Sequence, residues 1–138
     1  MSRVFLDANV LFSAAYRESA GLCALWELPG VALVTSDYAI EEARRNLVED
    51  VQHARLAVLL AAVEVVRGTF DAVPVPANVS LPDDDLPILR AAIGSRCTHL
   101  LTGNLRDFGA LFGRRVGRVT VLRPAVFLVS PRLRPRRE

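Results

Sequence analysis

Four short apolar runs, each set beside a helix-forming segment, constrain this chain more than any other feature. They are Val4–Leu6, Val31–Thr35, Cys97–Thr102 and Val116–Leu122. Such runs, without a regular polar alternation, are the pattern of strands buried on both faces. The segments between them hold apolar residues at helical spacing. Strands that alternate with helices predict a three-layer α/β/α sandwich around a central, mainly parallel sheet, Rossmann-like in plan, with right-handed crossovers.

Taken in order, Val4, Phe5 and Leu6 form the first strand, and Asp7 ends it. A carboxylate at a strand's carboxyl end stands where open α/β sheets place their sites, but it is equally a helix N-cap. The stretch alone leaves both readings open. Phe12 to Leu28 reads as helical, with Leu22, Leu25 and Trp26 on one face, until Pro29-Gly30 breaks it. After Val31–Thr35, Ser36 and Asp37 are N-cap types, and Ile40, Ala43, Leu47 and Val51 keep a helical period. A further helix is expected from Ala54 to Val66, ending near Gly68. The proline-rich stretch Ala72 to Pro82 reads as extended, with a short strand around Val73–Val75. Asp83-Asp84-Asp85 and Pro87 announce a helix that runs to Ile93. Asn104 to Phe112 is a loop and short helix. Pro124 starts a closing helix through Leu128, and Pro131 to Glu138 is expected to be disordered.

The 138 residues predict one domain over residues 1–130, followed by an Arg-rich tail at 131–138. A hydrophobic fraction of 51% and a mean hydropathy of +0.29 exclude a disordered chain. No apolar run reaches the roughly 18 residues of a membrane span, and the start does not read as a signal peptide. Cys23 and Cys97 have no metal or redox spacing. They are expected to be free, buried thiols of a cytoplasmic protein, although sequence leaves a disulfide open. All 17 basic residues are Arg. The absence of Lys removes the P-loop, and argues against phosphatases and receiver domains that pair a first-strand Asp with a later Lys. Residues 1–113 carry nine Arg against fourteen acids, a net of −5; residues 114–138 carry eight Arg against Glu138, a net of +7. This asymmetry points either to a polyanionic partner near the tail or to a solvated end.

Several acids fall at element ends: Asp7, Glu41 and Glu42, Asp83 to Asp85, and Asp107. In a parallel sheet, strand carboxyl ends and the following helix N-termini share one edge, so these carboxylates converge. Convergent carboxylates repel and raise one another's pKa unless a cation compensates. Mg²⁺ or Mn²⁺ accepts oxygen ligands, uses one or two carboxylates and keeps waters. Such an ion activates water and stabilises the charge of an in-line phosphodiester displacement. His53 and His99 are too few and too badly placed for a catalytic zinc, and read as structural or surface residues.

The motifs V-F-L-D-A-N-V (4–10), S-D-Y-A-I-E-E-A-R-R-N-L (36–47), D-L-P-I-L-R-A-A-I (85–93), T-H-L-L-T-G-N-L-R-D-F (98–108) and V-L-R-P-A-V-F-L (121–128) occur in that order. Together they resemble the PIN domain family, the fold of VapC-like toxin ribonucleases, in the branch whose fourth motif is T-x-N-x-x-D-F. The resemblance implies an acidic catalytic site of Asp7, Glu42, Asp85 and Asp107. Asp7, Asp85 and Asp107 would be metal ligands for Mg²⁺ or Mn²⁺. Glu42 is chosen over Glu41 because it stands five residues before Leu47, and Asp85 over Asp84 because it stands eight before Ile93. Asn9, Thr102 and Asn104 would orient these groups, Asn104 standing where many PIN domains have Asp. Arg44, Arg45 and Arg106 would hold phosphates. The implied activity is metal-dependent endonuclease cleavage of RNA by the toxin of a toxin–antitoxin pair. An antitoxin would be its partner, and Leu56 to Val66 a homodimer face. The alternatives are a non-catalytic PIN scaffold, an RNA-binding module using the tail, or a metal-dependent nuclease for other nucleic acids.

Overall fold

The computed structural model describes residues 2–129. The expectations for the tail at 131–138 lie outside the described residues. Strand β1 (Ser2–Leu6) occupies the middle of a six-stranded sheet, between β2 (Val31–Ser36) and β4 (His99–Leu101). β3 (Glu64–Val66) lies beyond β2, and β6 (Val119–Leu122), then β5 (Arg115–Val116), lie beyond β4. All pairings are parallel except β5 with β6. Val4, Phe5, Leu6, Val34, Leu100, Leu101, Val119 and Val121 are wholly buried, the burial on both faces that unbroken apolar runs require. The sheet therefore has the helix-covered, mainly parallel architecture that the alternation of elements predicts.

The helices are α1 (Ala8–Tyr16), α2 (Asp37–Asn46), α3 (Asp50–Leu60), α4 (Leu86–Gly94), α5 (Leu105–Phe108) and α6 (Pro124–Val129). α1 packs on α2 and α3, while α4 packs on β2, β4 and α2. Local chemistry sets several ends. Ser36 caps α2 through its Oγ, which accepts from the Ala39 N–H at 3.1 Å. Glu49 and Gln52 form a capping box at the start of α3. Strand order reverses at β1: the connection to β2 leads one way across the sheet, and β4 stands on the other side. The gap between the carboxyl ends of β1 and β4 is thus a topological switch point, where open α/β sheets build their sites.

Five local expectations are corrected. The expected helix Phe12–Leu28 is two elements: α1 begins four residues earlier, at Ala8, and a 3₁₀ helix covers Gly21–Glu27. Ser19 turns left-handed between them (φ 61°), and the i, i+3 spacing of Leu22 and Leu25 suits a 3₁₀ turn as well as an α-helix. The period running from Ile40 to Val51 crosses a boundary, because α2 ends at Asn46 and Val51 belongs to α3, where it is 53% exposed. The expected helix Ala54–Val66 ends at Leu60, and Glu64–Val66 is the edge strand β3. Arg3 reaches across from β1 and grips Glu64 with two nitrogens, at 2.9 and 3.2 Å. No local pattern foretells that contact. Residues 73–75 form no strand; prolines 74 and 76 have no N–H to offer a ladder. Val116–Leu122 is a hairpin rather than one strand. Gly117 (φ 52°) and Arg118 (φ 74°) make the two-residue turn with positive φ that joins β5 to β6.

Cys23 and Cys97 are free thiols. Cys97 is buried as expected, but Cys23 is only half-buried. His99 is buried, edge-on to Phe127 with ring centroids 5.1 Å apart. His53 Nε2 lies 2.8 Å from the Leu47 carbonyl oxygen. Among the described residues no helix is long and apolar enough to cross a membrane.

Gly94 ends α4, and a Cβ there would stand 2.6 Å from the Phe70 ring. Alanine normally stabilises a helix by up to ~1 kcal/mol over glycine. Here the collision reverses the sign, and Gly94→Ala is expected to cost about 1–2 kcal/mol. A shift of the urea midpoint to lower concentration checks this; an upward shift would show that Phe70 moves freely.

Candidate active site

Asp7 follows β1 directly and is 4% exposed. Its two oxygens divide the work. Oδ1 accepts from the Ala8 N–H at 2.6 Å, so Asp7 does cap α1. Oδ2 accepts from Thr102 Oγ1 at 2.8 Å and from Asn9 Nδ2 at 3.1 Å. Cap and site residue were never exclusive alternatives at this position. Asn9 also donates to Thr102 Oγ1 (3.2 Å), and its carbonyl oxygen accepts from the Gly103 N–H (2.7 Å). Thr102 Oγ1 in turn accepts from the Asn104 N–H at 3.1 Å. This network ties the end of β1 to the end of β4 across the switch point. Burial pushes the Asp7 carboxyl above its ordinary pKa, and the bonds from Thr102, Ala8 and Asn9 hold it partly down.

Asp85 immediately precedes α4, yet its side chain makes no capping bond. Its Oδ2 is buried without a hydrogen-bond donor. Desolvation, then the carboxyl of Asp107 within hydrogen-bonding reach, then the charges of Asp84 and Asp7, push Asp85 up to about 7. Asp107 moves the opposite way, held low first by Asn104 and next by Asp85. Asn104 commits its whole amide to this partner. Its oxygen accepts from the Asp107 N–H at 3.1 Å, and its nitrogen donates to Asp107 Oδ2 at 3.0 Å. The neutral residue at 104 thus caps α5 and fixes Asp107.

Glu42 is half-buried, whereas Glu41 is exposed. Desolvation and the negative charge of Asp7 raise the Glu42 pKa, and Arg45 opposes the rise. So α2 presents Glu42, not Glu41, to the carboxylate group. The structure brings Asp7, Glu42, Asp85 and Asp107 into one electrostatically linked cluster. The arginines are less uniform. Arg45 acts on Glu42, and Arg106 lies 3.6 Å from Asp107 while 92% exposed. Arg44 is exposed, and the carboxylate shifts trace to Arg45 and Arg106 rather than to it.

Two neighbours escaped the sequence reading. Tyr38 stands one turn before Glu42 on α2 and donates to the Asp84 carbonyl at 2.8 Å, pinning the loop that carries Asp85. Its i, i+4 offset from Glu42 was the available signal. Arg123 follows β6 at the same sheet edge. It lines a recess of about 470 Å³ with Asn9 and Gly103, and its guanidinium lies 5.9 Å from the Phe112 ring centroid. Its place one residue beyond an apolar strand was the signal.

A model of the PIN domain matches residues 3–106. The chain belongs to the PIN domain family. PIN domains are nucleases that generally use divalent metal ions. In fold, this PIN domain is similar to the crystal structure of VapBC2 from Rickettsia felis bound to a DNA fragment from their promoter. The TM-score is 0.59 at 15% identity, over 88% of this chain and 98% of that one. No curated protein matches the sequence.

The donor set suits a hard cation. Asp7, Glu42, Asp85 and Asp107 offer only carboxylate oxygens, Asp85 Oδ2 is buried without a partner, and Asp107 pushes the Asp85 pKa up rather than compensating its charge. Among the described residues, no group of three or more His, Cys, Asp or Glu side chains makes a ready metal cage. Mg²⁺ does not require one, since it is usually held by one or two carboxylates with waters completing the shell.

Proposed function

We propose that this PIN domain is a cytoplasmic, Mg²⁺- or Mn²⁺-dependent endoribonuclease that hydrolyses RNA phosphodiester bonds, and that it is the toxin of a toxin–antitoxin pair. The observation that carries the reading is the switch-point cluster, in which buried Asp7 and Asp85, pushed up to about 7, stand at one edge of the sheet. Asp7, Asp85 and Asp107 would hold the ion. When bound, the ion would supply the positive charge that offsets the developing negative charge on the phosphate oxygens. Thr102 and Asn9 keep Asp7 in one rotamer, and Asn104 does the same for Asp107. Glu42, with its raised pKa, is suited to take a proton from the attacking water. Arg45, Arg106 and Arg123 lie beside the cluster and supply guanidinium forks for the flanking phosphates.

The toxin role is supported by the likeness in fold to VapBC2, and it makes a cognate antitoxin the expected protein partner. A homodimer is part of the same proposal. Leu56, in the segment expected to form its face, is buried in the core, while Val58 is 74% exposed. The experiment is cleavage of structured RNA, single-stranded RNA and single-stranded DNA with Mn²⁺, Mg²⁺ or EDTA. Cutting of RNA that EDTA removes is the expected outcome. Cutting that persists in EDTA would sink metal dependence, and equal cutting of DNA would sink the ribonuclease assignment.

A further inference from the structure

A cavity of about 900 Å³ lies away from the carboxylates, at the opposite end of β4. Thr98, just before β4, lines it, whereas Thr102, just after β4, contacts Asp7. The three residues of β4 separate the two places, four residue steps or roughly 13 Å apart. Pro74, Val75, Pro76 and Ile93 give the cavity an apolar floor. Arg96, Arg115 and Arg118 stand around it, and no acidic residue lines it.

These three arginines, like Arg17, Arg44, Arg67 and Arg114, keep their guanidiniums unpaired among the described residues, but only these three surround one cavity. Arg3 and Arg106 pair with Glu64 and Asp107, and Arg55 and Arg90 donate to backbone carbonyls. The side chains of Arg96, Arg115 and Arg118 are exposed and make no hydrogen bond or ion pair among the described residues. Backbone conformation adds an independent sign. Only three non-glycine residues among those described have positive φ, and two of them are Arg96 (61°) and Arg118 (74°). Both positions, after a helix end and in a tight hairpin turn, ordinarily favour Gly or Asn. Left-handed backbone at a non-glycine residue costs free energy and collects at ligand clamps.

We propose that this cavity is a second, non-catalytic binding site for single-stranded RNA, the strand that the carboxylate edge cleaves; the assignment rests on the RNA-nuclease reading above. Three separated, unpaired guanidiniums match the repeated phosphates of a polymer better than one small anion. Arg is the side chain best shaped for phosphate oxygens. An extended peptide is disfavoured. The adjoining edge strand β5 has two residues, and prolines 74 and 76 offer no N–H, so there is no ladder for a peptide to join. The proline and isoleucine surfaces instead accept sugar and base faces without sequence preference. The site anchors a strand at one end of the sheet while the switch point acts at the other.

The test is fluorescence anisotropy of the full chain with a short labelled single-stranded RNA in EDTA, so that binding is read without cleavage. R96Q/R115Q/R118Q should bind at least tenfold more weakly. Its log K against log salt slope should be shallower by about two, since each phosphate contact on a single strand contributes ~0.7. R96K/R115K/R118K, which keeps the charges, should recover most of that slope; an unrecovered slope would overturn the phosphate assignment. Thermal melting establishes that both variants fold. Wild-type binding in the glutamine variant would overturn the proposal while leaving the nuclease reading intact. A poly-glutamate peptide that displaces RNA at equal charge concentration would reassign the cavity to an acidic protein. If instead the wild type binds the RNA through these arginines but cuts no RNA with Mn²⁺ or Mg²⁺, the nuclease reading fails and the binding site stands.

Discussion

Replacing Asp7 by Asn should lower kcat/KM for RNA by at least about 10²–10³-fold, the scale on which loss of one preorganised electrostatic group acts. The same change should leave the protein close to wild-type stability at neutral pH, because the relief of a buried charge offsets the hydrogen bonds lost at Oδ2. Both halves follow from the burial of this residue. Asp7 is 4% exposed, and desolvation raises its pKa despite three hydrogen bonds to its oxygens. An amide keeps the cap on the Ala8 N–H through its oxygen, although its nitrogen, in the place of Oδ2, forfeits the bonds from Thr102 and Asn9. The change therefore removes a costly buried charge while retaining most of the packing. The paired measurement is single-turnover cleavage beside a thermal melt, both without and with Mg²⁺. Activity lost together with a large drop in Tm would mean that Asp7 acts as a structural cap. Activity retained would place the chemistry elsewhere.

Without metal, stability should fall as pH rises from about 4 to about 7 and level off above. Saturating Mg²⁺ should abolish the fall. The sign follows from Asp85, whose carboxyl is pushed from 3.8 to about 7 by desolvation and by Asp107. The folded state then binds more protons than the unfolded chain in that window, so raising the pH favours unfolding. The contribution is fully present below the unfolded value and is lost as pH climbs through the folded one. Asp7 and Glu42, also raised, act in the same direction, while Asp107 is lowered and opposes them. Asp85 is partly exposed, so solvent screening reduces the effect to roughly 1–2 kcal/mol, or several degrees in Tm. A cation held by these carboxylates replaces the proton and stabilises the folded state by mass action. Mg²⁺ should therefore raise Tm at about pH 8 far more than at about pH 5. A Tm indifferent to both pH and Mg²⁺ would show that the carboxylates neither repel one another nor hold an ion. Asp85→Asn should flatten the metal-free profile, which separates this cause from titration elsewhere.

The sequence by itself determined the architecture. Unbroken apolar runs such as Val4–Leu6 and Leu100–Leu101 are satisfied only in a sheet covered on both faces, and the helical segments between them supply the cover. It also placed Asp7, Asp85 and Asp107 next to element ends, because end residues are marked by local chemistry: Asp after a strand, Pro87 in a first turn, Asn104 before a short helix. The spacing that favoured Glu42 over Glu41 came from family resemblance; periodicity left both open, and burial by the neighbouring Asp7 edge is what distinguishes them.

Other features depended on contacts between distant segments. Glu64–Val66 continues a helical pattern locally, and becomes a strand because β2 offers an open edge and Arg3, sixty-one residues away in sequence, takes Glu64. Val116–Leu122 divides at Gly117 because β6 pairs with β4, leaving β5 to fold back as an edge. The approach of Asp85 to Asp107, and hence part of the rise in the Asp85 pKa, exists only once α4 and α5 are set beside the same switch point. The convergence of Arg96, Arg115 and Arg118 is of the same kind, joining a helix end and a hairpin that no local pattern connects. Local periodicity encodes which face of an element is buried. Which charged groups then meet is set by how strands pair across the sheet, and that is a property of the assembled fold.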